Sequence, residues 1–420
     1  MKKTIYLDYA ATTPTDPAVV QAMLPYFGKD YGNPSSIHQM GFQAKEAIER
    51  ARKKVAGFFG CKKEEIVFTG SGTESVNLAI LGVARAVQKS LPAEASRMEH
   101  GRIDRVEYRE RRRGHIITSK IEHHAVLHAC QQLEKEGFQV TYLPVDKKGL
   151  IKPEQVEKSL QKDTILVSII YVNNEIGTIQ PIAKIAKIIA DHRRHQPSAI
   201  CHLPILHTDA CQATCYLPLK VNQLGVDLLS INGSKVYGPK GIAALFVKNG
   251  IKLKPVIYGG GQEKGRRSGT ENVPGIVGLS KALELADKHR ETEVKRLTKL
   301  RDYLIEGIEK KIPAIFLNGD RKNRVCNNVN FSFQGIEGES IVLYLDGQGI
   351  EVSTGSACAS TSLTPSHVIL ALGVNPRLAQ GSVRFSLGKF TVKGDIDYLL
   401  EVLPPVIKRL REISPFKVIK

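Results

Sequence analysis

The chain has 420 residues, 42% hydrophobic and 24% charged, a balance that fits one large or two ordinary folded domains and excludes a disordered chain. Its 60 Lys and Arg exceed 42 Asp and Glu to give a formal charge of +18, which favours anionic ligands, although a solvated basic surface is a simpler reading than direct nucleic-acid binding. Seven cysteines without framework spacing argue against a disulfide scaffold and for the cytoplasm, and neither a secretory leader nor an apolar run of membrane-spanning length is expected.

In chain order, β-branched runs alternate with helical patterns. The strand candidates are EEIVFTG (64–70), GHIITSK (114–120), FQVTYLPV (138–145), TILVSIIYV (164–172), ILHTDA (205–210), VDLLSING (226–233) and AALFVK (243–248). Helical patterns cover 43–59, 126–136 and 182–195. This alternation predicts an α/β fold with a mostly parallel sheet flanked by helices, whose ligands sit at the carboxyl ends of the strands. After Pro274 the pattern predicts a long amphipathic helix over 276–312, with an interruption allowed. The runs NNVNFSF, GIEVST and SVRFSL then predict a second sheet in a smaller α+β domain. The expected division is a large domain over 15–287 and a small one formed by 1–14 and 288–420, the latter carrying a Gly/Ser-rich cysteine loop at 353–365. Residues 91–113 and 196–204 read as insertions, the first strongly charged.

Several segments carry chemistry. TGSGTESVN (69–77) is a Gly-rich turn between a strand and a helix, a setting where Gly72 and Thr73 present N–H groups and a dipole end to a phosphate; an ordinary capped helix start looks similar. Asp209, in HTDACQ, ends a buried strand, where a carboxylate asks for a cationic or hydrogen-bonding partner. Lys235, in NGSKVYGPKG, follows another strand end and is placed to form a Schiff base with a cofactor, with Lys240 as its competitor. His123, in SKIEHHAVLHAC, suits ring stacking or proton transfer, and Asn174, in YVNNEIG, offers an amide at a third strand end. Cys358 lies among small residues in EVSTGSACASTSLTPSH, a segment that suits a travelling thiol nucleophile better than a buried small hydrophobe. Cys201, His202, His207, Cys211 and Cys215 cluster in sequence but match no zinc spacing.

These segments, with YLDYAATTP (6–14), YGNPSS (31–36), GGGQEKGRRSGT (259–270), NVNFSF and SVRFSLG, resemble the class-V aminotransferases, specifically cysteine desulfurases of the NifS/IscS type. The resemblance spans nearly the whole chain. It implies the pyridoxal-phosphate fold type I, a homodimer, and conversion of L-cysteine to L-alanine with sulfur left as a Cys358 persulfide. It implies that Lys235 holds pyridoxal 5'-phosphate, Asp209 pairs with its ring nitrogen, and Asn174 and Gln212 bind its ring oxygen. His123 would stack on the ring and move protons. Gly72, Thr73 and Ser234 would contact the phosphate, with Thr270 reaching it from the second subunit, and Asn232 would belong to the cofactor site. Asn33, Asn330 and Arg384 would bind the substrate carboxylate, a pairing that suits the planar guanidinium. It implies no resident metal, only a transient contact of Cys358 with an iron–sulfur cluster, and a sulfur-acceptor protein in cluster assembly or tRNA thiolation. Selenocysteine lyase chemistry and a non-catalytic sulfur-relay protein are the competing readings. The chain departs from the family where Asn232 and Ser234 replace the usual Ser and His, in the charged segment 91–113, and in the absence of a longer tail after SPFKVIK that some members use for scaffold docking.

Overall fold

The computed structural model describes residues 4–88, 114–195, 203–355 and 364–415. The strands in chain order are β1 (Ile5–Tyr6), β2 (Ile66–Thr69), β3 (His115–Ser119), β4 (Gln139–Leu143), β5 (Thr164–Ile170), β6 (Ile205–Asp209), β7 (Leu228–Asn232), β8 (Ala243–Val247), β9 (Ile315–Leu317), β10 (Asn328–Phe333), β11 (Ile350–Glu351) and β12 (Ser382–Ser386). All seven strands expected in the first two thirds form, in one sheet of order β2-β8-β7-β6-β5-β3-β4. β4, β3, β5, β6 and β7 run parallel, while β8 is antiparallel to both neighbours. Helices Gly72–Gln88, His124–Lys135 and Ile182–His195 return the chain between strands and cover the sheet. Every residue of β3, β5 and β6 is buried, which is why these strands read as continuous apolar runs.

Helix boundaries shift where side chains cap them. The first long helix begins at Gln39 rather than 43, because the His38 ring accepts the Gly41 N–H. The long helix after the sheet is continuous over Val273–Lys311, with no interruption. Asn272 caps it by accepting the Gly275 N–H, and Pro274 sits in its first turn, where a missing N–H costs nothing. Residue 288 therefore lies inside an unbroken helix.

The C-terminal sheet has three antiparallel strands, β12-β10-β9. The GIEVST run does not join that sheet as a full strand. Its β11 pairs in parallel with β1, Ile5 opposite Ile350, and only single bridges, Ser353 to Arg384 and Asp8 to Ser386, tie this pair to β12. The segment 91–113 lies outside the described residues.

Candidate active site

A cleft of about 260 Å³ opens where five strands end. The turns after β2, β3, β5, β6 and β7 deliver Gly72 and Thr73, Glu122 and His123, Asn174 and Glu175, Asp209 and Gln212, and Asn232 and Lys235 to its walls. Ala10, Ala11, Gly355, His367 and Arg384 complete it from the other side. This is the strand-end location that parallel topology dictates for ligands.

Lys235 closes a short turn, Gly233–Lys235, whose start is held by the Asn232 side chain accepting the Ser234 N–H at 3.3 Å. Its Nζ donates to the carbonyl of Ala10 at 2.7 Å and to that of Ala11. Gln212 donates to the same Ala10 carbonyl at 2.9 Å, so the N-terminal segment is tied to the catalytic side of the sheet. Lys240 is exposed and stands outside the cleft lining, which separates the two lysines that the sequence leaves equivalent.

Asp209 is 7% exposed and accepts the Cys211 N–H at 2.9 Å; among the described residues it forms no ion pair. A buried carboxylate of this kind is matched to a cation delivered by a ligand. His123 caps its helix: its Nδ1 accepts the Ala125 N–H at 3.1 Å, which leaves Nε2 as the protonated nitrogen of the neutral ring. Burial, opposed by Asp209, lowers the His123 pKa and favours that neutral form.

Gly72 begins the helix Gly72–Gln88, and a Cβ there would meet Cys211 Sγ at 3.0 Å and Asn232 Cβ at 3.2 Å. Only glycine keeps this helix start pressed against the neighbouring strand ends. Arg384 projects from β12, 3% exposed. It donates to the Asn174 carbonyl at 2.9 Å and to Asp8 Oδ1 at 2.7 Å, while its Nε is buried with no partner. An unpartnered guanidinium N–H at a cleft wall is a prepared anion contact.

Not every expected residue reaches the cleft. Asn330, opposite Arg384 in the β10–β12 ladder, is fully buried and spends its amide on the Glu175 carbonyl and on Asn318. Ser234 is outside the lining, with its carbonyl accepting from Thr13. Asn33 is exposed and caps the Ser35 N–H, and Thr270 is exposed beside Gly70 and Arg267. Cys358 lies outside the described residues, although the chain on both sides of it is placed. Gly355, at φ +90°, sits with its Cα facing Glu175, and Ser366 donates to Glu175 Oε2 at 2.5 Å. Of the cysteine and histidine cluster, Cys201 and His202 are outside the described residues, and both ring nitrogens of His207 are taken by the hydroxyls of Ser168 and Ser230.

Three cleft residues escaped the sequence reading: Glu122, Glu175 and His367. Both acids are fully buried, and burial raises both carboxyl pKa values, that of Glu122 to about 8. Each follows a buried strand, and that was the available signal.

The chain belongs to the class-V aminotransferase family, whose family model matches residues 5–102 and 103–399. Among its relatives is a protein of Dictyoglomus turgidum named cysteine desulfurase IscS. It is 51% identical over 417 residues, covering 99% of this chain and 98% of that protein. A Methanosarcina thermophila protein of the same name is 48% identical over 413 residues, covering 98% and 94%. A solved NifS-like protein superposes with a TM-score of 0.84 at 35% identity over 97% of this chain and all of the other. The structure of SspA in complex with cysteine matches at 0.75 and 36% identity over 93% of this chain and 100% of SspA.

Proposed function

We propose that the chain is a pyridoxal-phosphate-dependent cysteine desulfurase that converts L-cysteine to L-alanine and carries the sulfur as a persulfide on Cys358. The observation behind this reading is the convergence of an amine, a buried carboxylate, a neutral imidazole and a half-partnered guanidinium at one cleft. The carboxylate without an ion pair, the lysine at a strand end and the glycine cradle at Gly72 all fit the cofactor. Lys235 would hold it, Asp209 would face its ring nitrogen, Asn174 and Gln212 its ring oxygen, and Gly72, Thr73 and Asn232 its phosphate. When bound, pyridoxal phosphate supplies an electron-withdrawing ring that makes the substrate Cα proton removable and weakens the Cβ–sulfur bond.

The chain's own groups do the rest. Arg384 takes the substrate carboxylate through its free Nε, and Asp8 and the Asn174 carbonyl hold the guanidinium plane for it. The Lys235 amine and His123 Nε2 carry protons to and from the substrate. Cys358 attacks the substrate sulfur as a thiolate; the carbon–sulfur electron pair stays on Cβ, which gains a proton to become the alanine methyl group. Cys211, a thiol of the cleft lining, is pushed well above its ordinary pKa by burial, which keeps it protonated and unsuited to this task.

A homodimer completes the reading. A groove of about 680 Å³ is lined by Pro34, Ser35 and Glu271, next in sequence to Asn33 and Thr270, the two residues left outside the cleft. Leu24, Phe27, Tyr31, Ile37, Phe42 and Tyr258 expose apolar side chains, which suits burial against a second copy. Five unpaired cysteines among the described residues suit the cytoplasm. The sulfur acceptor is a protein of iron–sulfur assembly or tRNA thiolation.

The test is direct. Purified protein loaded with pyridoxal phosphate should be yellow and release alanine from L-cysteine in the presence of a reductant. Cys358→Ser should stay yellow and lose persulfide formation. A mutant that released sulfur at the wild-type rate would overturn the persulfide step and leave the cofactor assignment standing.

A further inference from the structure

Glu122 is the least explained residue of the cleft. It is 0% exposed, yet it lines the cavity directly after β3 and directly before His123. Its Oε1 accepts the Ser119 hydroxyl at 2.6 Å and the Ile170 N–H at 3.0 Å, which ties the turn after β3 to the end of β5. Its Oε2 is buried and has no partner. No ion pair compensates it among the described residues. The groups that face it are few. Asp209 approaches from β6 and disfavours a second negative charge. Cys130, on the helix His124–Lys135, is a thiol whose pKa burial pushes up to about 12, so it stays neutral. His367 donates from Nε2 to the Glu122 carbonyl at 3.0 Å, and burial lowers the pKa of its ring. None of these supplies the cation that a buried glutamate anion needs.

We infer that Glu122 is a neutral carboxylic acid, a positioning residue that adds no charge beside Asp209 while it is protonated and adds a negative one to the cleft floor when it loses its proton. The inference rests on the function proposed above, because it matters through the ring that Asp209 faces. Asp209, Glu122 and Glu175 all line this cleft, and of the three only Glu122 holds a buried carboxyl oxygen without a partner. A neutral Glu122 leaves a cation facing Asp209 without a second competing charge beside it. The burial-raised pKa of about 8 places the change within reach of mild alkali. Substrate and cofactor both bring anionic groups, and a second floor charge opposes them.

Glu122→Gln mimics the neutral acid. Its amide oxygen still accepts from Ser119 and Ile170, and it never ionises. Infrared difference spectra of wild type minus Glu122→Gln, recorded without cofactor, should show the carbonyl band of a protonated carboxylic acid at about neutral pH, vanishing with a midpoint near about 8. In the loaded enzyme, the visible band and kcat/KM of the wild type should carry an inflection at the same midpoint, up to about tenfold per pH unit beyond it. Glu122→Gln should lack that inflection, whereas a purely structural role would leave the profile unmoved. Absence of the protonated-acid band at neutral pH overturns the proposal, as does a Glu122→Gln profile that keeps the wild-type inflection. The wild-type band followed against pH answers the same question without any variant. Colourless protein with the infrared band intact would sink the cofactor reading and uphold the neutral acid.

Discussion

Asp209 and Glu122 line the cleft floor at 7% and 0% exposure, whereas Asn33 and Thr270, expected to serve the same ligands, stand exposed outside it. The floor is finished within one chain. Its carboxyls and imidazole accept, and its guanidinium donates, hydrogen bonds fixed by strand ends and turns, so the groups are oriented before any ligand arrives. The rim differs. Thr270 sits on a segment pinned by two ion pairs, Arg52 with Glu263 at 2.6 Å and Arg267 with Glu74 at 2.9 Å, and it lies outside the lining of the cleft of its own chain.

The contrast breaks most visibly at Lys235. Lys235→Ala should abolish the cofactor label that borohydride reduction fixes to the wild type and that then survives denaturing gel filtration, and should cut alanine release by about 10²–10⁴-fold, the worth of a positioned acid–base group. A variant with near wild-type turnover would show that the floor is not the site. Arg384→Ala comes next. Losing a charge-assisted contact to the substrate carboxylate costs about 3 kcal/mol, seen as roughly a hundredfold rise in KM with a smaller change in kcat. Asp8→Asn, which keeps the arginine and removes its buttress, should raise KM by less. If the two variants behaved alike, the guanidinium would be useless to the substrate carboxylate without its Asp8 buttress.

Most of the floor was legible because strand ends announce themselves. ILHTDA and VDLLSING read as buried strands, so Asp209, the last residue of the first, and Lys235, in the turn after the second, lie at the carboxyl edge of the sheet. Glu122 and Glu175 obey the same rule but were passed over, because a glutamate beside histidine or asparagine reads as solvent-facing until its burial is known. Asn330 illustrates the opposite limit. NVNFSF placed it on a strand, and the strand period allowed the amide either face; the ladder turns it inward to Asn318 and Glu175. Capping decided the helix starts at Gln39 and Val273, since His38 and Asn272 act through side-chain geometry that apolar periodicity does not encode.

The smallest expected effect is also the sharpest test of the rim. Thr270→Ala removes one hydroxyl, worth about 1 kcal/mol, or roughly a fivefold weaker hold on pyridoxal phosphate. That loss alone does not say whose cleft the hydroxyl serves. Mixed dimers do. In a hybrid of one Lys235→Ala subunit and one Thr270→Ala subunit, the only cleft with a lysine belongs to the Thr270→Ala chain. If Thr270 serves the partner, that cleft receives an intact hydroxyl from the Lys235→Ala chain, and titration of the hybrid should return wild-type cofactor affinity. If Thr270 serves its own chain, the same cleft lacks the hydroxyl and the fivefold deficit persists. Its exposed position beside Gly70 and Arg267, apart from the lining of its own cleft, favours the first result.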